Sequence, residues 1–226
     1  MRGFTVQRRL LTKPTLLILL LVGLASVSRA EAAAPNSETI GSAGAPSGAI
    51  ATVERLQGEF LDVMKNAEAL GFEGRYAQLQ KIVTDCFDLG FMAEKAVGRH
   101  WNKLTPEEQE RWLASFHEMT AATYAGRFEG FSGQHFEIDG EEVAKHDTVL
   151  VRARLIDPGG EDVQLNYRLH RENEDWRVID VYLNGTVSEL ALRRSEFSSV
   201  LKRDGFEKLI TTIEGKTQEI ADASVN

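Results

Sequence analysis

The hydrophobic residues of this chain change their spacing twice, and that change limits the fold more than any other feature. Over residues 51–70 apolar side chains fall at Val53, Leu56, Phe60, Val63, Met64, Ala67 and Leu70. This i, i+3, i+4 rhythm predicts one amphipathic helix, with Gly71 as its stop. Further on the period is two. Val163, Leu165, Tyr167 and Leu169 alternate with Gln164, Asn166, Arg168 and His170, as in a strand with one dry and one wet face. After Ser188 the helical spacing returns, first to a stop at Gly205 and then over residues 206–220. Helices, then strands, then helices predict a single-domain α+β fold.

Local signals fill in the elements. Two shorter helices are expected at residues 76–87 and 91–101. Thr105-Pro106-Glu107-Glu108 supplies an N-cap, a proline at the first helical position and a glutamate that can return a bond to the cap amide, so a helix starts at Pro106. Its apolar side runs through Trp112, Phe116, Met119, Thr123 and Phe128, and Gly130 and Gly133 end it. Asp157-Pro158-Gly159-Gly160 is a turn signal that joins strands at residues 148–156 and 162–170 into a hairpin. Flanking strands at 136–143 and 176–183 complete four antiparallel strands. The domain is expected to span residues 51–222, with no internal repeat.

Residues 1–30 have the three parts of a secretory signal: Arg2, Arg8, Arg9 and Lys13, then the ten-residue apolar run Leu16 to Ala25, then Ser28-Arg29-Ala30 or Ala30-Glu31-Ala32 as cleavage sites. A membrane-spanning helix needs about 20 apolar residues, so an exported soluble protein is expected, with an uncleaved N-terminal anchor as the alternative. Residues 31–50 are rich in Ala, Gly, Ser and Pro and read as a flexible leader. The first 30 residues hold five basic and no acidic side chains, which leaves 21 bases against 34 acids and a net charge of −13 after cleavage. Such a chain repels nucleic acid and anionic bilayers beyond contact range, so no nucleic-acid partner is expected. A single cysteine, Cys86, excludes an intrachain disulfide framework and multi-cysteine metal sites.

Catalytic patterns fail on inspection. The five histidines lack metal-ligand spacing, and the second histidine of an H-E-x-x-H motif begun at His117 would fall at Ala121. Gly130-Phe131-Ser132-Gly133 brings its second glycine one residue too soon for a nucleophile elbow. No metal or cofactor is expected. Asp180 is the one acid that stands out, because it lies inside the apolar strand Val178-Ile179-Asp180-Val181, where burial demands a partner. Two readings stay open for it: a buried pair with an arginine, or a polar contact at a pocket mouth. A periplasmic enzyme using Asp180 with a tyrosine, and a pure interaction module, are the alternatives to a binding protein.

The chain resembles a known family in the order and spacing of several short motifs. These are Gly71-Phe72 with Arg75-Tyr76, Phe87-Asp88 with Met92, Val97-Gly98 before Trp101, Leu104 to Gln109, Phe116, Thr123-Tyr124-Ala125, Tyr167, and Trp176-Arg177-Val178-Ile179-Asp180-Val181. Over residues 51–215 they are similar to MlaC, also called Ttg2D or the toluene-tolerance family. Residues 185–197 look closer still to the hopanoid-associated branch, HpnM. The resemblance implies an MlaC-like (NTF2-like) fold, a curved four-stranded antiparallel sheet packed with helices around an apolar cavity. It implies a periplasmic carrier, not an enzyme, that holds phospholipid or hopanoid. It also implies partners: an outer-membrane lipoprotein complex and an inner-membrane ABC transporter. The expected acyl-chain lining is the dry face Val163, Leu165, Tyr167 and Leu169, with Trp176, Val178 and the helical Phe87, Phe91, Met92, Tyr124 and Phe128. Arg193-Arg194 and Lys202-Arg203 are expected to present positive charge on one short helix.

Overall fold

The computed structural model describes residues 47–224; the expected signal and all but the end of the expected leader lie outside them. Helix α1 is Gly48–Lys65 and α2 is Ala67–Cys86. Helix α3, Leu89–Val97, runs into a 3₁₀ segment, Gly98–Lys103, and α4 is Pro106–Arg127. Five strands follow: β1 His135–Ala144, β2 Thr148–Ile156, β3 Val163–Glu172, β4 Asp175–Leu183 and the two-residue β5 Val187–Ser188. Helices α5, Glu189–Asp204, and α6, Phe206–Ala223, close the chain. The strands form one antiparallel meander in the order β1-β2-β3-β4-β5. The α+β layout is as expected, with five strands where four were expected.

The first helix starts three residues inside the expected leader, because the Ser47 side chain accepts a bond from the Ile50 amide and caps it. Its inward stripe is Val53, Leu56, Phe60, Val63 and Met64, all buried. Each such side chain contributes roughly 1.5–3 kcal/mol by leaving water. The helix ends at Lys65, short of the expected Leu70. Asn66 takes a non-helical ψ of 12° and turns its amide onto the Asp62 carbonyl, the competition with backbone that makes asparagine a poor helix residue. The expected glycine stop survives as a kink inside α2, where Gly71 has φ 59°. The α4 cap is as expected: the Glu108 amide donates to Thr105 Oγ1, and the Thr105 amide donates to the Glu108 carboxylate.

Turn chemistry sets the sheet register. Asp157 caps its own turn by accepting the Gly159 amide, and Asn184-Gly185, both at positive φ, make the tight turn into β5. One bulge lies in β1 at Gly140, and a second shifts β4 against β3 beside Arg168. The second bulge leaves Val178, Ile179, Asp180 and Val181 buried in succession, so β4 has no wet face there. Beyond β5 its edge is covered at Val178, whose carbonyl accepts the Asp88 amide while Phe87 bridges to it in parallel.

Candidate functional site

The dry face of the sheet assembles by register. Leu165 faces Ala153 and Leu183, Tyr167 faces Val151 and Val181, Leu169 faces Val149 and Val178, and Val163 faces Leu155. Tyr167, Leu169 and Val178 are buried, whereas Val163 and Leu165 are half-buried towards the β2–β3 turn. The opposite face is wet only in part: Asn166 is buried, its side-chain amide directed at the Gly185 carbonyl in the β4–β5 turn.

Above this face, rings from three helical segments meet. Phe60 of α1 lies 4.8 Å from both Tyr124 and Phe128, Tyr124 is 5.8 Å from Phe128, and Phe87 is 6.0 Å from Tyr124, all between centroids. Three of the expected lining rings, with Phe60, thus meet in one aromatic cluster over the sheet. Aromatic rings in contact with one another and with the apolar core exclude water. Among the described residues, one surface recess lies beside Lys65 and Asn66 and another between the 3₁₀ segment and α5.

Of the eleven expected lining residues, Phe87, Tyr124, Phe128 and Tyr167 come together, with Leu169 and Val178 paired in the sheet below. Met92 is buried on α3. Phe91 lies 5.3 Å from His170 in a tilted pair, with the Lys95 ammonium over its ring. Trp176 holds the start of α1: a Cβ at Gly48 would fall 2.7 Å from its Cδ1, and its carbonyl accepts the Thr52 hydroxyl. Phe60 and Gln57 were not singled out as lining. The α1 stripe marked Phe60 as inward, but nothing local says that it faces Tyr124. Gln57 is 4% exposed and its Nε2 has no hydrogen-bond partner among the described residues. Burial pushes the Tyr167 phenol up to about 12, an effect that its polar contact with Gln57 opposes.

One edge of the ring cluster is charged. Glu189 lies 3.3 Å from Arg127 and 3.8 Å from Arg193. Desolvation, with Glu189 and Tyr167 adding to it, drives the Tyr124 phenol far up. Arg193 also stands 5.7 Å over the Phe116 ring and reaches Met119 Sδ, with 15% of its side chain exposed. The four basic residues of α5 therefore do not form one outward stripe, and Arg193 is withdrawn from them. A 100° step per residue turns Arg193 into the interior and leaves Arg194 exposed.

Asp180 also differs from both expectations. It is 7% exposed, and it accepts bonds from the Val181 amide at 2.8 Å, the Ser188 hydroxyl at 2.6 Å and the Leu190 amide at 3.1 Å. It is a cap for α5, not an arginine partner or a pocket-mouth group. Burial raises its carboxyl and these bonds oppose the rise. No described cluster of three His, Cys, Asp or Glu could hold a metal ion. Cys86 is buried, and burial pushes its thiol up, away from reactivity.

Residues 54–215 match the family model described as MlaC protein. The chain belongs to the MlaC family. It is 22% identical over 161 residues to the intermembrane phospholipid transport system binding protein MlaC of Haemophilus influenzae, covering 69% of this chain and 75% of that one. A solved structure, the phospholipid-binding protein of Ralstonia solanacearum in complex with a phospholipid, superposes with a TM-score of 0.66 at 25% identity. That match covers 76% of this chain and 98% of the other. One MlaC-like motif residue in the sequence turns out to be a joint, and a second joint lies outside the motifs. Arg75, 4% exposed, donates to the Ala125 carbonyl at the end of α4 and to the Ala67 carbonyl at the start of α2. Trp112 Nε1 donates to the Ala93 carbonyl and ties α4 to α3.

Proposed function

We propose that this chain is a periplasmic lipid carrier that takes the acyl chains of a phospholipid between α1, α4 and the sheet. It would shuttle that lipid between the outer membrane, at a lipoprotein complex, and an ABC transporter in the inner membrane. The observation that carries the reading is the ring cluster of Phe60, Phe87, Tyr124 and Phe128 over Tyr167. These rings sit where helices α1 and α4 meet the sheet, and parting there would exchange ring contacts for acyl contacts. Each methylene withdrawn from water contributes about 0.8 kcal/mol, yet almost nothing relative to a bilayer. Loading and release then balance closely, as a shuttle requires. The family, the phospholipid held by the Ralstonia relative and the three-part N-terminus all support this reading.

The proposed lining is Phe87, Tyr124, Phe128, Leu165, Tyr167, Leu169 and Val178, to which Phe60 is added; Phe91, Met92, Val163 and Trp176 stand around it. Native mass spectrometry of protein purified from the periplasm tests the reading. A carrier arrives with intact lipid and releases it unchanged. Protein without lipid, or lipid converted on incubation, overturns it, and conversion would favour an enzyme. Identifying the extracted lipid also separates phospholipid from the hopanoid to which residues 185–197 point.

A further inference from the structure

The recess between the 3₁₀ segment and α5 has a volume of about 370 Å³, and its wall includes Arg99, His100, Arg194, Ser199 and Lys202 but no acidic residue. Two features describe this group of cations. First, none of Arg99, Arg194 and Lys202 makes an ion pair among the described residues. Their neighbours on the same helix are paired, Arg193 with Glu189 and Arg203 with Asp204. In a chain of net charge −8, acids are plentiful, yet none answers this group. Secondly, the Arg194 guanidinium lies on the bare backbone of Gly98. A Cβ there would fall 3.1 Å from Nε and 3.3 Å from Nη2, and Gly98 has φ +57°. Glycine at this position keeps the guanidinium at the recess.

We propose that this recess is a binding site for a phosphate group, carried either by a small soluble phosphate or by the headgroup of an anionic lipid. Planar guanidinium groups meet phosphate oxygens two at a time, and an ammonium adds a third direction of contact. A concavity of this size takes a tetrahedral group, whereas an acidic protein surface would be met by a flat or convex patch. Unneutralised like charge is unfavourable until an anion enters, so the site is poised for one. His100 already reports the local field: desolvation first, then Arg99, Lys103 and Lys202, hold its imidazole below the ordinary value. The site stands apart from the ring cluster and does not depend on acyl binding.

The test uses the exported, isotope-labelled protein and inorganic phosphate at low ionic strength, with sodium chloride matched in ionic strength as the control. Saturable amide shifts at Gly98, His100 and Ser199 are expected, together with a rise in the His100 titration midpoint, since a bound anion favours the imidazolium. Arg194→Gln with Lys202→Gln should weaken phosphate by at least about tenfold; if the double variant does not fold, Lys202→Gln alone carries the comparison. A second arm sediments the protein with phosphatidylcholine vesicles with and without phosphatidylglycerol. Sedimentation that needs phosphatidylglycerol and is lost in the variant assigns the phosphate to a lipid; shifts with inorganic phosphate alone assign it to a soluble ligand. The proposal is overturned if neither probe binds, if sodium chloride reproduces the shifts, or if the variant responds like wild type. It is also overturned if poly-glutamate saturates the recess and phosphate does not, which would make it a protein-docking surface.

Discussion

His170 Nε2 lies 2.9 Å from Asp88 Oδ2, so the carboxylate that caps α3 is also held by the third strand. The Phe91 amide donates to the other Asp88 oxygen at 2.8 Å, and the Asp88 amide donates to Val178. One side chain and its backbone thus join a helix start, β3 and β4. Asp88→Ala should cost about 1–2 kcal/mol in chemical denaturation, the range for a lost helix cap. Asp88→Asn, which keeps an acceptor, should lose less than half as much. Equal losses would place the effect in packing instead of the cap.

Arg75 is expected to be the more sensitive joint. Arg75→Met keeps the stem but leaves the carbonyls of Ala67 and Ala125 without their buried donor. A loss of about 2–4 kcal/mol follows from unsatisfied buried acceptors. Loss below about 0.5 kcal/mol, within the range of ordinary surface changes, would mean that water replaces the guanidinium.

The ring cluster makes a prediction about cargo. Leu165 is half-buried on the dry face and belongs to the proposed acyl lining, where a larger side chain would take the space of lipid. Leu165→Trp should therefore lower bound lipid per folded molecule, read by native mass spectrometry, more than it lowers the melting temperature. A variant that melts early while retaining full lipid would mark this position as core.

Asp180 gives a signed pH dependence. Burial raises its carboxyl above the ordinary 3.8, so the folded protein holds this proton more tightly than the unfolded chain. The group's favourable contribution is complete below its unfolded value and is lost as pH rises through the raised folded value. Asp180→Asn carries no such titration. The stability of wild type relative to Asp180→Asn should fall as pH rises from about 4 towards neutrality, whatever its sign at the start. A relative stability that grows over this interval would show that the hydrogen bonds from Ser188 and Leu190 outweigh the burial.

Signals carried by neighbours in sequence were legible. The Thr105–Glu108 box, the Asp157–Gly160 turn and the alternation around Tyr167 all act within a few residues, and each produced the element it predicted. What depended on distant partners was not legible. The break at Asn66 follows a helix stripe that continues through it, and the β4 bulge appears only when Leu169 and Val178 are set opposite each other. Asp180 could be recognised as a problem in the sequence, but its solution lay eight to ten residues away, in Ser188 of β5 and Leu190 of α5. For the site, composition and alternation pointed to an aromatic interior. They could not say which rings meet, so neither the contact of Phe60 with Tyr124 nor that of Phe91 with His170 was legible.

The outermost strand has a consequence for self-association. Among the described residues no strand pairs with the outer side of β1, which leaves one row of its backbone groups as a template on which chains polymerise. It carries Glu137, Asp139, Glu141 and Glu142, it bends at the Gly140 bulge, and its most exposed apolar side chain is Val143 at 89%. Arg154 answers Glu137 and Asp139 from within the same molecule. A second copy laid along this edge would bring carboxylate to carboxylate with no spare cation between them, and the bulge would interrupt the ladder after a few bonds. The strand that is least enclosed is thus guarded by its own charges against growing into a fibril.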